Sequence, residues 1–308
     1  MLSSSSLTQQ EVRRAQKAGA MAAVLKQIRT TRVRAPEAVV ELGRAALSSR
    51  RLGDEVWNVR EQTLIAALDV DDIPLAKACE SAILDRFGDT GARASRLKGL
   101  TQEARGDLEE AAQTYATMLE SNGANAAALK REICLAKMQG DVASYVEKLK
   151  AYLERFQSDR SAWQALAETY VSSGNLPYAI FCYEELTLFE PTAAHYHCRL
   201  GELHYTDAGG LAGPKRLDAL LKARKYFAHC VELATSHAAQ AKSARAPTGL
   251  LLTCSAVGEI KPDDELNVAL SALAAAHLKS IYKSHAAPSD LVAKAIAPFV
   301  ANHTPPFR

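Results

Sequence analysis

Three histidines and one cysteine lie within ten consecutive residues of the chain: His195, His197, Cys198 and His204. Imidazole nitrogens and thiolate sulfurs are common zinc ligands, and a zinc ion with an open coordination position activates water for hydrolysis. Such a site would predict a metal-dependent enzyme that binds stoichiometric zinc. Whether the four side chains converge depends on the elements that carry them, and those elements follow from the rest of the sequence.

The composition indicates a helical protein with an ordinary core. Of 308 residues, 48% are hydrophobic and 23% are charged, which is typical of globular proteins. Good helix formers dominate most segments, and no strand-like alternation with a hairpin turn is present, so we expect an all-α fold. The formal net charge of +2 argues against a nucleic-acid partner, because nucleic-acid-binding proteins usually carry a strong basic excess.

We expect neither a membrane span nor a secretory signal from this sequence. The longest apolar stretches, at 249–258 and 269–278, are shorter than the roughly 20 residues that cross a bilayer. The N-terminal segment MLSSSSLTQQEVRR lacks the apolar core of a signal peptide. The six cysteines are scattered without a C-x-x-C pair, which predicts reduced, mostly buried thiols in a cytoplasmic protein.

Residues 161–191 follow the pattern of a tetratricopeptide repeat, in which two short helices pair over 34 residues. In each helix, large residues alternate with small ones on one face, because two helices approach closely only where small side chains meet. The inner-face residues are Trp163, Leu166, Ala167 and Tyr170 in the first helix, and Ala179, Tyr183 and Leu186 in the second.

The turn between the paired helices recurs at the same period. Gly174 lies in this turn, Gly140 is 34 residues upstream and Gly106 is 34 residues before that, and each is followed by Asn or Asp. An earlier unit at 58–89 follows the same plan with its register slipped by about one residue. We therefore predict about five repeats in a right-handed α-solenoid with helical caps at both ends.

The repeats divide the chain into three predicted regions. Residues 1–56 form N-terminal capping helices with a basic segment, 57–240 form the repeats, and 241–308 form C-terminal capping helices and a tail. Within the repeats, about ten extra residues at 209–218 precede the second helix of one unit, at 223–234. We expect this insertion to be an enlarged loop at one edge of the solenoid.

Five helices are expected in the two caps. Two lie at 8–30 and 36–50, and three lie at 246–257, 261–287 and 289–301. The N-terminal segment carries a marked excess of basic residues. This excess fits contact with an anionic surface, either lipid headgroups or an acidic partner. The solvated polar face of a capping helix is the simpler interpretation, because one basic face is common on end-capping helices.

The repeat also gives a structural interpretation of the histidines. Adding 34 to Leu166, Ala167 and Tyr170 places the stretch 194–206 in the first helix of the next repeat. His197 and His204 then face the packed interior, whereas His195 and Cys198 face the groove. Because the four side chains do not converge, we expect structural roles and no bound metal or cofactor.

No catalytic motif competes with a binding role. The sequence lacks a phosphate-binding G-x-x-x-x-G-K-[ST] loop and a G-x-S-x-G nucleophile elbow, so we expect no enzyme and no small-molecule substrate. Tetratricopeptide grooves bind helices or extended peptides, but the asparagines of the known carboxylate clamp are missing. The predicted partner-binding groove residues are Arg96, Lys130, Lys137, Gln164, Glu168, His195, Glu202 and Tyr205.

Several segments outside the repeat consensus resemble the second subunit of the endoplasmic reticulum membrane protein complex. They are EQ…IAALD (61–69), FC-EEL (181–186) and YT…GG (205–210) before RKYFA (224–228). The similarity covers about residues 35–235. It implies a non-catalytic cytosolic scaffold of a membrane-protein insertase, held peripherally at the cytoplasmic face of the endoplasmic reticulum through the other subunits. Such a scaffold bridges cytosolic parts of membrane subunits for insertion of tail-anchored and multipass proteins.

A second hypothesis is a free cytosolic tetratricopeptide adaptor or co-chaperone that binds peptide segments. It predicts a monomer that stays soluble on cell fractionation. The two hypotheses predict the same groove and differ in whether multi-span membrane proteins accompany the chain.

Overall fold

The computed structural model describes residues 9–17, 20–49, 52–89, 91–236 and 243–283, together with residue 294. Over these ranges the regular elements are fifteen α-helices and one 3-10 turn, without a strand. The helices form two compact units, residues 1–148 and 149–308. The predicted all-α tetratricopeptide-repeat class is confirmed.

The first unit contains a cap and the first repeats. Its helices are α1 (Gln9–Lys17), α2 (Met21–Thr31), α3 (Pro36–Ser48), α4 (Val56–Asp69), α5 (Ile73–Phe87), α6 (Ala92–Arg105), α7 (Leu108–Ser121) and α8 (Ala126–Met138). Helix α9 (Val142–Arg155) contains the boundary between the two units. From α3 to α8, each helix packs against the next one in sequence, which is the arrangement of stacked helical repeats.

The second unit continues the pairs and ends in longer helices. They are α10 (Arg160–Ser172), α11 (Leu176–Phe189), α12 (Ala194–Gly209), α13 (Gly213–Ser236), α14 (Arg245–Ile260) and α15 (Glu265–Lys283). Its main core joins buried residues of α12, α13, α14 and α15. No helix in the part of the chain that the structure describes has both the length and the apolarity to cross a membrane.

Left-handed backbone at the recurring turns explains the glycine period. The φ angles are +83° at Gly106, +73° at Gly140 and +75° at Gly174. The amide after each glycine donates to a carbonyl oxygen five residues earlier, with N–O distances of 2.9, 3.1 and 2.9 Å. This is the Schellman end of a helix, in which an L side chain at the left-handed residue is strained. The same turn in the earlier unit has Asp71 at φ 61°, which confirms the slipped register.

Small residues allow neighbouring helices to approach closely. A Cβ atom added at Gly201 of α12 would lie 2.8 Å from the ring of Phe227 on α13, and one added at Gly249 of α14 would overlap the same ring. A Cβ at Gly99 of α6 would overlap the ring of Tyr115 on α7 in the same way. Both rings are fully buried. Glycine is therefore required at these positions, because the aromatic ring occupies the space that a side chain would need.

The expected enlarged loop at 209–218 is wrong. Helix α13 begins at Gly213, so most of the extra residues add turns to the helix. The reason is that Ala219 and Leu220 are buried with Ala208 of α12 and Val257 of α14. An apolar face of helical period in this segment has a partner, and burial of that face favours helix over loop.

The single helix expected at 8–30 is also wrong, because α1 and α2 are separate with Ala20 between them. In one continuous helix, Val12 and Leu25 would point about 140° apart around the axis. As two helices, both side chains are buried in one cluster with Leu42 of α3. Apart from residue 294, the helix expected at 289–301 lies outside the described residues. The helix expected from 261 begins at 265.

The left-handed turns give a first test of the fold. Replacement of Gly174 by Ala should lower the free energy of unfolding by about 1 kcal/mol, because φ of +75° is unfavourable for an L residue. Urea unfolding followed by circular dichroism measures the change. Gly209→Ala is the control: its added Cβ meets no atom within 4 Å, and alanine favours helix. Equal destabilisation by both variants would contradict a backbone origin of the period.

Candidate functional site

The first helix of each pair carries the residues that were predicted to line a groove. These helices are α4, α6 and α8 in the first unit and α10, α12 and α14 in the second. Within the first unit α4 contacts α6 directly, and within the second unit α12 contacts α14. We call the surface that they form within each unit the first-helix face.

In the first unit, the predicted site residues have different surroundings. Arg96 Nη2 donates to Glu61 Oε1 at 2.6 Å, so this side chain joins α6 to α4. Lys130 and Lys137 are exposed on α8. The Lys137 ammonium lies 5.7 Å from the centre of the Tyr145 ring, within the distance of a cation–π contact. Lys130 and Lys137 are therefore exposed to solvent, whereas Arg96 is bound to a carboxylate of the same unit.

In the second unit, three predicted residues are exposed. Gln164 Nε2 donates to Glu168 Oε1 at 2.8 Å, one turn further along α10. His195 is the second residue of α12, with its ring centre 4.0 Å from that of Tyr196. The pair on α10 forms one polar patch, and His195 lies on the next first helix.

Glu202 and Tyr205 lie together in a cavity of about 400 Å³ between α12 and α14. Glu202 accepts hydrogen bonds from Arg199 Nη1 at 2.9 Å and from Arg245 Nη2 at 2.6 Å. Tyr205 packs against the buried cluster that contains Phe227. Two predicted residues therefore lie in the same cavity. The Glu202 carboxylate is paired with two arginines there and is not an isolated surface charge.

The surroundings of Glu202 favour its charged form. Burial by itself raises the pKa of this carboxyl, and the hydrogen bonds and charges of Arg245 and Arg199 outweigh burial, so that the pKa is lowered overall. The carboxylate stays ionised at neutral pH. It links α12 to α14.

Ion pairs between successive first helices are the feature that sequence analysis missed. In addition to the links from Glu61 and Glu202, Arg131 of α8 donates to Glu103 of α6, with Nε 2.8 Å from Oε1. The Glu103 side chain is only 5% exposed. Partners in these three links are separated by 35, 28 and 43 residues. Without a constant separation, the sequence offers no periodic signal for them.

The side chains of the histidine and cysteine cluster lie in different surroundings. His197 and His204 are buried, as predicted. His197 Nε2 lies 2.8 Å from the Pro191 carbonyl oxygen. Cys198 is also buried, so its expected place on the groove face is wrong. It belongs to the core around Phe227 because α13 packs against that side of α12. Within the described ranges, no group of three or more potential metal ligands converges.

His204 is held by stacking. Its ring lies parallel to that of Tyr226, with an interplanar angle of 7° and centres 5.5 Å apart. Burial lowers its pKa, Lys222 lowers the pKa further, and Asp207 and Asp218 raise it. Nε2 has no hydrogen-bond partner among the residues described. The imidazole therefore serves as a neutral aromatic ring, at the position where the preceding repeat has tyrosine.

The cysteines have the character expected of structural thiols. Five of the six are buried, and none forms a disulfide. Burial raises the pKa of Cys182 to about 12 and that of Cys254 to about 12. Because the thiolate is the reactive form, these two groups are poor nucleophiles at neutral pH.

The Glu202 link predicts a pH-dependent effect on stability. Glu202→Gln should lower the free energy of unfolding at pH 7 by about 1 kcal/mol, because two arginines lose a charged acceptor. Since the folded-state pKa is lowered, the contribution is complete above the unfolded-state pKa and is lost as pH falls through the folded-state pKa. Urea unfolding at a series of pH values should show the difference shrinking as the pH falls below about 4.5, the ordinary pKa of a glutamate side chain.

The matched control for this link is Glu120→Gln on α7. Glu120 is exposed, and the described residues include no ion-pair partner for it. This variant should unfold like the unmodified chain at each pH. A Glu202→Gln effect that does not decrease as the pH falls would mean that the charge does not carry the stability.

His204 predicts a dependence in a different pH range. Its folded-state pKa is lowered, so the unfolded chain binds a proton more readily below about pH 6.5. Its contribution to stability is therefore lost as pH falls from about 6.5 through the folded-state pKa. His204→Phe keeps the stacked ring and should reduce the loss of stability on going from pH 7 to pH 5. If the control variant His277→Gln reduces this loss equally, His204 is not its source.

Comparisons with known protein sequences agree with the repeat architecture. Residues 87–208 match the family model described as the EMC2 TPR-like repeat domain. The ER membrane protein complex subunit 2 of Xenopus tropicalis is 35% identical over 211 residues, which is 68% of each chain. The TPR repeat protein oca3 of Schizosaccharomyces pombe is 33% identical over 173 residues, 55% of this chain and 61% of that protein.

Among solved structures, a thermophilic TPR protein of Thermus thermophilus has a TM-score of 0.45 and 16% identity, covering 59% of this chain and 96% of that chain. The family itself rests on the sequence matches. With 35% identity over more than two thirds of the chain and of the Xenopus protein, the chain belongs to the ER membrane protein complex subunit 2 family.

Proposed function

We propose that this chain is a non-catalytic scaffold subunit of an endoplasmic reticulum membrane protein complex, and that its first-helix face holds segments of other subunits. The observation that carries the proposal is the match to relatives named as subunit 2 of that complex. The repeat fold supports it physically, since stacked helix pairs provide a long surface for protein partners.

The finer proposal concerns the work of the complex. As a subunit of an insertase for tail-anchored and multipass proteins, the chain would bridge cytosolic parts of the membrane-embedded subunits. It would lie peripherally at the cytoplasmic face of the endoplasmic reticulum and be held there by those subunits. This role calls for a preformed surface and no catalytic group. The ion pairs between successive first helices would keep that surface in shape.

The predicted site residues divide into two roles within this proposal. Lys130, Lys137, Gln164, Glu168 and His195 are exposed and are proposed to contact partners. Arg96 and Glu202 link neighbouring first helices, and Tyr205 packs on the core beside them. These three are proposed to position the contact surface.

Affinity purification of the tagged full-length chain from its own cells in mild detergent, with mass spectrometry of the recovered proteins, tests the proposal. Several multi-span membrane proteins should be recovered stoichiometrically. The double variant Lys130→Glu with Lys137→Glu should reduce their recovery several-fold, because charge reversal on a contact surface is repulsive. The control reverses Lys150 and Lys225, which are exposed on the second helices α9 and α13.

Two outcomes would contradict the scaffold role. Recovery of the chain alone or with soluble chaperones only would favour a free tetratricopeptide adaptor. Equal loss of membrane subunits in both double variants would move the contact surface away from the first-helix face. Circular dichroism of each purified variant confirms that the fold is kept.

A further inference from the structure

A second potential binding place lies in the first unit, at a cavity of about 610 Å³. It is formed where α2 and α3 join, together with α4 and the start of α6. None of the eight predicted groove residues lines it. Apolar side chains of α2, α3 and α4 line its floor, and four arginines line its rim. A volume of this size accommodates one or two side chains of a bound segment.

The floor of the cavity is apolar. Ile28, Val39 and Ala66 are buried beneath it. Val33 is half-buried at its side, and Ile65 of α4 is 38% exposed. An exposed isoleucine beside buried aliphatic groups provides a place for an apolar side chain, which gains free energy by leaving water.

The rim of the cavity is basic. Four arginines and two carboxylates line it. Of the carboxylates, Glu61 is paired with Arg93 and also with Arg96. Asp69 lies 3.5 Å from Arg34, whose side chain is 82% exposed. The acidic groups are thus already neutralised, and positive charge remains.

Arg32 carries most of the available charge. It follows the last turn of α2 with a φ angle of 54°, and it makes no hydrogen bond or ion pair with any residue in the described ranges. Its neighbour one turn earlier, Arg29, is fixed by Glu55 at 2.7 Å and by Gln62 at 2.9 Å. Gln62 Nε2 in turn donates to the Leu25 carbonyl oxygen at 3.1 Å. The rim is therefore held by internal contacts, and the charge of Arg32 remains available to a ligand.

We infer that this cavity binds an extended segment of a partner protein that carries acidic side chains next to an apolar one. Arginine recognises carboxylates through two parallel hydrogen bonds, and the floor accepts the apolar side chain. A lipid headgroup would use the charge but not the apolar floor. This inference deepens the proposed function, since it names the chemistry of one segment that the scaffold would hold.

Fluorescence anisotropy with the purified full-length chain tests the inference directly. The probe is a fluorescein-labelled ten-residue peptide with a central Leu-Phe pair flanked by Asp and Glu. One control peptide has Lys in place of the acids, and another has Ser in place of Leu-Phe. The acidic apolar probe should bind at least tenfold more tightly than either control, and added salt should weaken it, because the contact is partly electrostatic.

Substitutions in the cavity separate its two parts. The double variant Arg32→Glu with Arg34→Glu should weaken binding of the probe at least tenfold, because the reversed charges repel its acidic side chains. Ile65→Ser should weaken binding of the probe because the apolar contact is lost. Arg32→Gln, which breaks no internal pair, should weaken it by a smaller factor. The control reverses Lys215 and Arg216, both exposed on α13, and should leave binding unchanged. Circular dichroism of each variant verifies folding.

Two results would overturn the inference. One is equal binding of all three peptides. The other is binding of phosphatidylserine vesicles that displaces the probe and is insensitive to Ile65→Ser, which would assign the rim to a lipid surface. Neither result affects recovery of membrane subunits in the purification described above. The inference and the proposed function can therefore fail independently.

Discussion

Phe227 is enclosed by two glycines, and this arrangement sets the distance between three helices. Gly201 of α12 and Gly249 of α14 leave room for the ring, and any side chain at either position would overlap it. With the helices this close, the buried cluster of the second unit becomes continuous. Gly99 and Tyr115 repeat the arrangement in the first unit. The first helices of neighbouring pairs then lie near enough for ion pairs, and a surface for partners follows from that spacing.

The first-helix face and the basic cavity use arginine in opposite ways. Where Arg96 and Arg245 meet carboxylates of the preceding first helix, the charge stabilises the arrangement of the repeats and is largely neutralised. Where Arg32 has no partner among the described residues, the charge remains available. Paired arginines therefore mark positions that stabilise the surface, whereas an arginine whose charge is accessible marks a position that can bind a partner.

Much of the fold was predictable because its periodic signals are local. Gly106, Gly140 and Gly174 share a left-handed backbone conformation that the equivalent turn of each repeat requires. The burial of His204 followed from the same period. The extra turns of α13 and the break before α2 were not predicted, because the partners that bury Ala219 or Leu25 are distant in sequence. The ion pairs between first helices were missed for the same reason. The contact residues could not be predicted in the same way, because they depend on the surface of the partner as well as on this chain.

The length of α13 bears on how the molecule unfolds. Its 24 residues span about 36 Å, whereas the 16 residues of α12 span about 24 Å. The additional turns pack against both α12 and α14, so this helix is coupled to its neighbours over more surface than an ordinary repeat helix is. In a linear array of repeats, cooperativity is set by such nearest-neighbour coupling. The block from α12 to α14 would then open as one cooperative unit.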